Sequence, residues 1–298
     1  GKNDDPAHDI GDAWSLMSDI TRLAHKIRPG AIVIAEDAAS NHYITKPTNE
    51  GGCGFDAQWG LHFPHAIRNF LGMEAQYYVD IRYEIQSKFN DNVFERIIFS
   101  DSHDTAANGH VRINEAVTPG NSTSVQARER TLVAAVLTLT SPGIPMLLQG
   151  QEFMQEGAFN DWQELEWDKA ERHAGIVLAH RNLIDLRLNR FGTTAGLLGQ
   201  NVAIFHYNDD NRVIGYHRWE NGGVGDDVLV IANCGNGTFE SYDLVLPLPG
   251  SWRVCFNSSW KGYSQDFKES KTQVVTSDEN GRVTIGLPAY SALILSQD

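Results

Sequence analysis

Cysteine is scarce in this chain: Cys53, Cys234 and Cys255 are the only three in 298 residues. They are too few and too scattered for a disulfide framework or a zinc site, and the odd count leaves at least one thiol free. A reducing compartment, the cytoplasm, is the expectation. Long apolar runs are missing too. Nothing approaches the ~20 residues that a membrane-spanning helix needs, so no membrane partner is expected. Basic charge is also short: 24 Lys and Arg stand against 38 Asp and Glu, a formal charge of −14. That balance repels phosphate backbones and anionic lipid, which argues against nucleic acid and leaves a neutral ligand as the better fit. Internal repeats, low-complexity tracts and a Pro/Ser-rich linker are likewise lacking. The opening "GKNDDPAHDIGDAW" carries no signal peptide and does not look like a natural start, so an N-terminus further upstream is expected.

What is present centres on "ERIIFSDSHDT", residues 95 to 105. Ile97, Ile98 and Phe99 read as a buried strand that runs into Ser100, Asp101, Ser102, His103 and Asp104. Asp and Ser are ordinary turn formers, so the segment read alone is a polar turn. It gains meaning from two more strands that end in the same way, "AIVIAED" at Glu36 and Asp37, and "IPMLLQGQEF" at Gln151 and Glu152. Reacting groups of barrel and open α/β enzymes stand at the carboxyl ends of parallel strands, where the loops share a mouth.

Helical patterns alternate with these strands. "DAWSLMSDITRLAHKIRPG" repeats apolar residues at three and four residue spacing until Arg28-Pro29-Gly30, and "SVQARERTLVAAVLTLTSPG" is stopped by Pro142 and Gly143. Residues 74–90 and 169–191 give two further expected helices, the second read as one long element. Residues 105–124 show no period and read as a long loop, of the kind that serves as a lid or binding loop. The short strand "FDAQW" places Trp59 as a candidate for lining the site, although most large aromatics are packing. His62 and His65 lie three apart on an expected helix, but without a third ligand no metal site is expected.

After Phe191 the texture changes to short alternating strands divided by Gly, Asn, Asp and Pro, spaced as in an antiparallel sandwich. Trp219, Trp252, Trp260 and Tyr263 in this region are either core aromatics or stacking platforms for a sugar chain.

Four motifs in order, "AIVIAED", "GFDAQW", "FSDSHD" and "SPGIPMLLQGQEF", followed by a β-rich region ending "LPAYSALILSQD", resemble the α-amylase family, glycoside hydrolase family 13, and within it the branching enzymes most of all. The resemblance covers nearly the whole chain. It implies an α/β fold class: the second half of a (β/α)8 TIM barrel over residues 1–191, then an all-β C-terminal sandwich over residues 192–298. It implies Glu36 as general acid/base, Asp104 as the carboxylate that stabilises the transition state, and His103 as holder of a sugar hydroxyl. No cofactor is implied. A retaining mechanism needs these two carboxylates and a third, nucleophilic one. In the family that residue is an Asp after the fourth barrel strand, expected here before residue 1. Asp19 lies in a helical pattern and does not fit the role.

The implied activity is 1,4-α-glucan branching on glycogen, starch or maltooligosaccharide. α-Amylase hydrolysis and trehalose release are alternatives within the family, and a non-catalytic glucan-binding or structural piece is an alternative outside it. Four strands cannot close an eight-stranded barrel, so the missing half of the barrel is an expected partner, on the same chain or another.

Overall fold

The computed structural model describes residues 10–37, 39–72 and 78–297. Four short strands, β1 (Ile34–Ala35), β2 (Ala57–Trp59), β3 (Arg96–Ile98) and β4 (Ile144–Pro145), form one sheet in chain order. Every pairing in it is parallel, with Ala35 opposite Gln58, Trp59 opposite Ile97 and Ile98 opposite Pro145. Parallel neighbours need crossovers, and here helices supply them. α2 (His62–Phe70) and α3 (Ile81–Gln86) join β2 to β3, while α4 (Ile113–Val117) and α5 (Val125–Thr140) join β3 to β4. α1 (Gly11–Ile27) precedes the sheet, and α6 (Asp168–Arg172) and α7 (Ala174–Arg187) follow it.

Several elements differ from the sequence expectation. The strands are shorter than the apolar runs that announced them: Met146, packed against Ile97 and Phe99, and buried Leu148 lie on irregular chain beyond the last parallel pairing. The helix expected over 74–90 is ordered helically only as α3, since Ser87 turns to extended backbone; residues 74–77 lie outside the described residues. The stretch 105–124 is not all loop, for it holds α4. The single helix expected over 169–191 is two, broken at His173, whose φ of −115° and ψ of 34° leave the helical region.

α5 is buried on almost every side, with eleven of its residues buried, and so shows no polar face. Ser124 caps its N-terminus by accepting from the Ala127 amide at 3.1 Å. Two buried guanidiniums serve the other end. Arg218 donates to the Thr140 carbonyl, and Arg187 donates to Ser141 at 2.7 Å and to Gly143. Burial without a carboxylate partner pulls both arginines below their usual range, and the orphan carbonyls at the negative end of the helix offset that cost.

The β-region contains β5 (Asn201–Asn208), β6 (Val213–Trp219), β7 (Val228–Asn233), β8 (Phe239–Val245), β9 (Ser251–Asn257), β10 (Val274–Thr276), β11 (Arg282–Leu287) and β12 (Ser291–Gln297). Six form an antiparallel sheet in the order β10-β9-β12-β7-β6-β5, and β11 pairs with β8. Strands β7 and β12 are buried on both faces. Val228, Val230, Ala232, Ala292 and Ile294 pack toward the helices, while Leu229, Ile231, Leu293 and Leu295 pack toward Tyr242, Leu244, Val283 and Ile285 of the smaller sheet. One continuous core runs from Phe63 and Ile67 through α5 and α7 to Ile214, Phe256 and Ile294, so the two parts are packed together rather than tethered. Among the described residues no helix is long and apolar enough to cross a membrane.

Candidate active site

Because the four strands are parallel, their carboxyl ends open on one side, and the loops after β1 and β3 meet there. Glu36 follows β1 directly. His103 and Asp104 follow β3 on a tight turn in which Thr105 Oγ1 accepts from the Ser102 amide at 2.7 Å and the Thr105 amide donates back to Ser102 Oγ at 3.3 Å. This reciprocal pair turns the chain outward so that the next two polar side chains project into the mouth. One carboxylate oxygen of Glu36, one of Asp104 and a ring nitrogen of His103 all lie within 4.8 Å of one another. His103 Nε2 stands 3.5 Å from Asp104 Oδ1, and the two side chains are 45% and 59% accessible. They face solvent, where a substrate can reach them.

The walls are aromatic. Trp59 presents an edge to His103 with ring centroids 5.8 Å apart and another to Phe99 at 5.2 Å. Phe159, from the loop after β4, meets His103 at 6.1 Å. The Phe159 amide donates to the Ala106 carbonyl at 2.5 Å, which ties the β4 loop over the β3 loop. Half-buried Trp59 packs with Ala57, Ile97 and Phe99 on the inner face of the sheet and reaches the site from there. Nothing in the sequence pointed to Phe159.

Not every polar residue of the central motif is at the mouth. Asp101 is buried, accepting from Arg68 Nη2 at 2.6 Å and from the Ile113 amide at 2.9 Å. Burial raises its pKa against the pull of Arg68 and the Ile113 amide. It anchors α2 and α4 to the end of β3, a structural task. Ser100 accepts from Gln151 Nε2 at 2.8 Å and so joins β3 to the β4 loop. A sequence pattern cannot separate the inward Asp101 from the outward Asp104, because both are acids in a turn.

Other candidates fall elsewhere. Asp19 is on the exposed surface of α1, paired with Arg22 at 2.5 Å, and is not part of the Glu36, His103 and Asp104 grouping. His62 and His65 lie on α2, apart from the one grouping of three metal-ligating side chains among the described residues, which is Glu36, His103 and Asp104. Of the proposed sugar platforms, Trp252 is wholly buried and Tyr263 nearly so, which corrects that reading for both: they are core. Trp219 stacks on His217 at 4.5 Å, and only Trp260 of the four is exposed.

The geometry defines a class: an α/β protein with two carboxylates and an imidazole at the open end of a parallel sheet, packed on an antiparallel β-region. Known proteins then make the likeness particular. Residues 205–298 match the family described as alpha amylase, C-terminal all-beta domain. The chain is 28% identical over 270 residues to a 1,4-alpha-glucan branching enzyme GlgB of Prochlorococcus marinus (strain AS9601), covering 88% of this chain and 35% of that protein. It is 27% identical over 258 residues to the branching enzyme GlgB of Corynebacterium jeikeium (strain K411), covering 83% and 35%. The chain thus spans about a third of the length of these relatives. In fold it is similar to an alpha-amylase from H. orenii, with a TM-score of 0.68, 17% identity and coverage of 99% of this chain and 58% of that one. It is similar also to a pullulanase from Anoxybacillus sp. LM18-11 complexed with maltotetraose, with a TM-score of 0.66 and 19% identity over 95% of this chain and 42% of that one. The match over residues 205–298 and the branching-enzyme relatives support the resemblance to the α-amylase family, glycoside hydrolase family 13, and the solved structures share its fold.

Proposed function

We propose that this chain carries part of the catalytic site of an α-glucan-active retaining enzyme of the α-amylase family, with 1,4-α-glucan branching as its reaction. The observation that supports this most is the meeting of Glu36 and Asp104, from two different strand ends, within 4.8 Å beside His103. In this reading Glu36 protonates the leaving glycosidic oxygen and later takes a proton from the acceptor hydroxyl, which is the acid/base cycle of a retaining mechanism. Asp104 holds its negative charge beside the anomeric carbon as oxocarbenium character develops. His103 donates to a sugar hydroxyl from between the two, and Trp59 limits water on one side. Branching is favoured over hydrolysis because both curated relatives cited above are branching enzymes.

The nucleophile is not among the described residues of the mouth. β1 has only β2 beside it and β4 only β3, so both edges of the parallel sheet are open among the described residues. We read residues 1–191 as the second half of a (β/α)8 barrel and residues 192–298 as its C-terminal domain, with the nucleophile on strands that pair with these edges. The substrates proposed are glycogen, starch and maltooligosaccharides, and the compartment proposed is the cytoplasm, in keeping with three cysteines that form no disulfide among the described residues.

Glu36→Gln, made in the barrel-complete enzyme, is expected to lower turnover by about 10²–10⁴-fold while glucan binding survives, since the amide keeps the shape but gives no proton. Iodine-stained absorbance and branch-point counting after debranching read this out, and near-normal turnover would remove Glu36 from its role. Two carboxylates and an imidazole so close would also suit a divalent cation. Turnover unchanged by EDTA is the result expected here, and loss of turnover restored by a cation would favour the metal reading.

A further inference from the structure

Between α5 and the β-region lies a cavity of about 450 Å³, walled by α5, the turn from β7 to β8, the loop after β9 and the turn before β12. That volume is in the range of small-molecule sites. Two of its walls carry positive charge that no carboxylate pairs with. Arg130 donates through Nη1 to the Val117 carbonyl at 2.7 Å and through Nη2 to the Tyr290 hydroxyl, while its buried Nε has no partner. Lys268 is exposed and makes no hydrogen bond or ion pair among the described residues. Asp266, on the same loop as Lys268, is taken by Arg128 at 2.9 Å. Against a formal charge of −14 for the chain, this local excess of positive charge marks where a negative ligand would be drawn.

Tyr290 holds Arg130 in its pose. The guanidinium lies over the tyrosine ring, 4.1 Å from its centroid. The Tyr290 backbone sits at φ 47°, in the left-handed region that a bulky residue rarely adopts, and its amide donates to the Gly235 carbonyl at 3.1 Å. Such strain persists only where the surroundings impose it, and it gathers at ligand clamps. Glu129 is the carboxyl left to face the two cations. The charged and titratable groups around it are Arg128 and Arg130 on α5, Asp266 and Lys268 from the loop after β9, and Tyr290 before β12. Burial raises it to about 7 against the pull of Lys268, Arg128 and Arg130, so below neutral pH it keeps a proton that it can donate. The cavity then presents two cations and a neutral donor. A small tetrahedral oxyanion uses all three, because its oxygens accept from each. An uncharged sugar would leave both cations unmatched, and an apolar ligand would leave every polar wall unused.

We propose that this cavity binds a small oxyanion, a phosphate group either free or as the ester of a small metabolite, held by Arg130, Lys268 and Glu129. The site shares no residue with the grouping of Glu36, His103 and Asp104 and does not depend on the reaction proposed there. Its walls come from both parts of the chain, so the bound anion fastens α5 to the β-region, and acidification strengthens the hold.

Equilibrium dialysis of the 298-residue chain against radiolabelled sulfate at fixed ionic strength tests this. Sulfate keeps its charge between about pH 5.5 and about pH 8, so any change in affinity comes from the protein. The parent is expected to bind saturably at the lower pH and several-fold more weakly at the higher, and Glu129→Gln to bind alike at both. Lys268→Ala is expected to lose about tenfold in affinity at the lower pH with an unchanged melting temperature. Arg130→Gln is expected to lose at least as much. Should that variant fold poorly, Lys268→Ala carries the test alone, its side chain being exposed. Unlabelled inorganic phosphate and glucose 6-phosphate, added as competitors, separate the two sources: equal displacement marks the free anion, and displacement by the ester at far lower concentration marks the ester. Absence of saturable sulfate binding at the lower pH would overturn the proposal. So would Lys268→Ala binding as the parent does, or a parent affinity indifferent to pH.

Discussion

Two carboxylic acids, Asp101 and Glu129, show how burial sets the task of a single residue. Asp101 is a buried anion made tolerable by Arg68, the Ile113 amide and the field of Arg112. Removing one partner of a buried pair leaves the other uncompensated, so Asp101→Asn is expected to cost about 3–5 kcal/mol in a urea titration. Glu129 has no such anchor. It faces the cavity between α5 and the β-region that Arg130 and Lys268 also line, and burial raises its carboxyl from 4.5 to about 7 against the pull of Lys268, Arg128 and Arg130. A carboxyl that holds its proton more tightly when folded loses stability as pH rises from its unfolded value toward 7, and the loss is complete above that. Glu129→Gln should therefore gain on the parent between pH 5 and pH 8. Solvent screening holds the gain to about 1–2 kcal/mol, and melting temperatures at the two pH values would show it; a difference independent of pH would refute the assignment.

Elements are the scale at which α5 explains the molecule. Its N-terminus is closed by Ser124, its middle is buried on all sides, and its C-terminal carbonyls are taken by Arg187 and Arg218. Arg187 comes from α7 and Arg218 from β6, so one helix end fastens three elements. Ser124→Ala leaves an orphan amide and is expected to lower stability by about 1 kcal/mol, measured by denaturant midpoint with an unchanged slope. α1 is the opposite case. Trp14 and Met17 pack on Ala35, Ile44 and Cys53, while Leu16, Ile20, Leu23 and Ile27 remain exposed. The apolar period that announced this helix is two stripes, and the described residues cover only one.

For the whole molecule, the exposed stripe of α1 lies in the part of the chain that leads into β1, where Ile32 and Ile34 are also exposed. An open parallel edge and bare apolar side chains together mark a surface awaiting more protein. The 298-residue chain alone is therefore expected to be inactive on amylose, because in the proposed reading the nucleophile that a covalent glycosyl intermediate requires lies outside the described residues of the mouth. Adding the preceding strands, on the same chain or as a separate polypeptide, is expected to bring activity and to raise the melting temperature together. Reducing-end and iodine assays read the first. Clear turnover by the chain alone, abolished by Asp19→Asn, would place the nucleophile in α1 after all.

Local chemistry was enough to announce most of the architecture. Ile97 and Ile98 lie in a strand because their side chains are β-branched, with Phe99 just beyond its end, and α5 stops just before Pro142 and Gly143. Four ordered motifs likewise singled out Glu36, His103 and Asp104 as candidates before any coordinate. Direction and burial were beyond that reach. Asp101 and Asp104 are the same residue type three positions apart, yet one turns in to Arg68 and the other out to the mouth, which follows from the Ser102–Thr105 turn and from where α2 packs. Trp252 and Trp260 have equal hydrophobicity, but β9 sets the first into the sandwich core while the loop beyond it lays the second on Gly262. Sequence periodicity reports which residues prefer to leave water. Tertiary packing decides which of them a neighbouring element is there to cover, because that neighbour comes from a distant part of the chain.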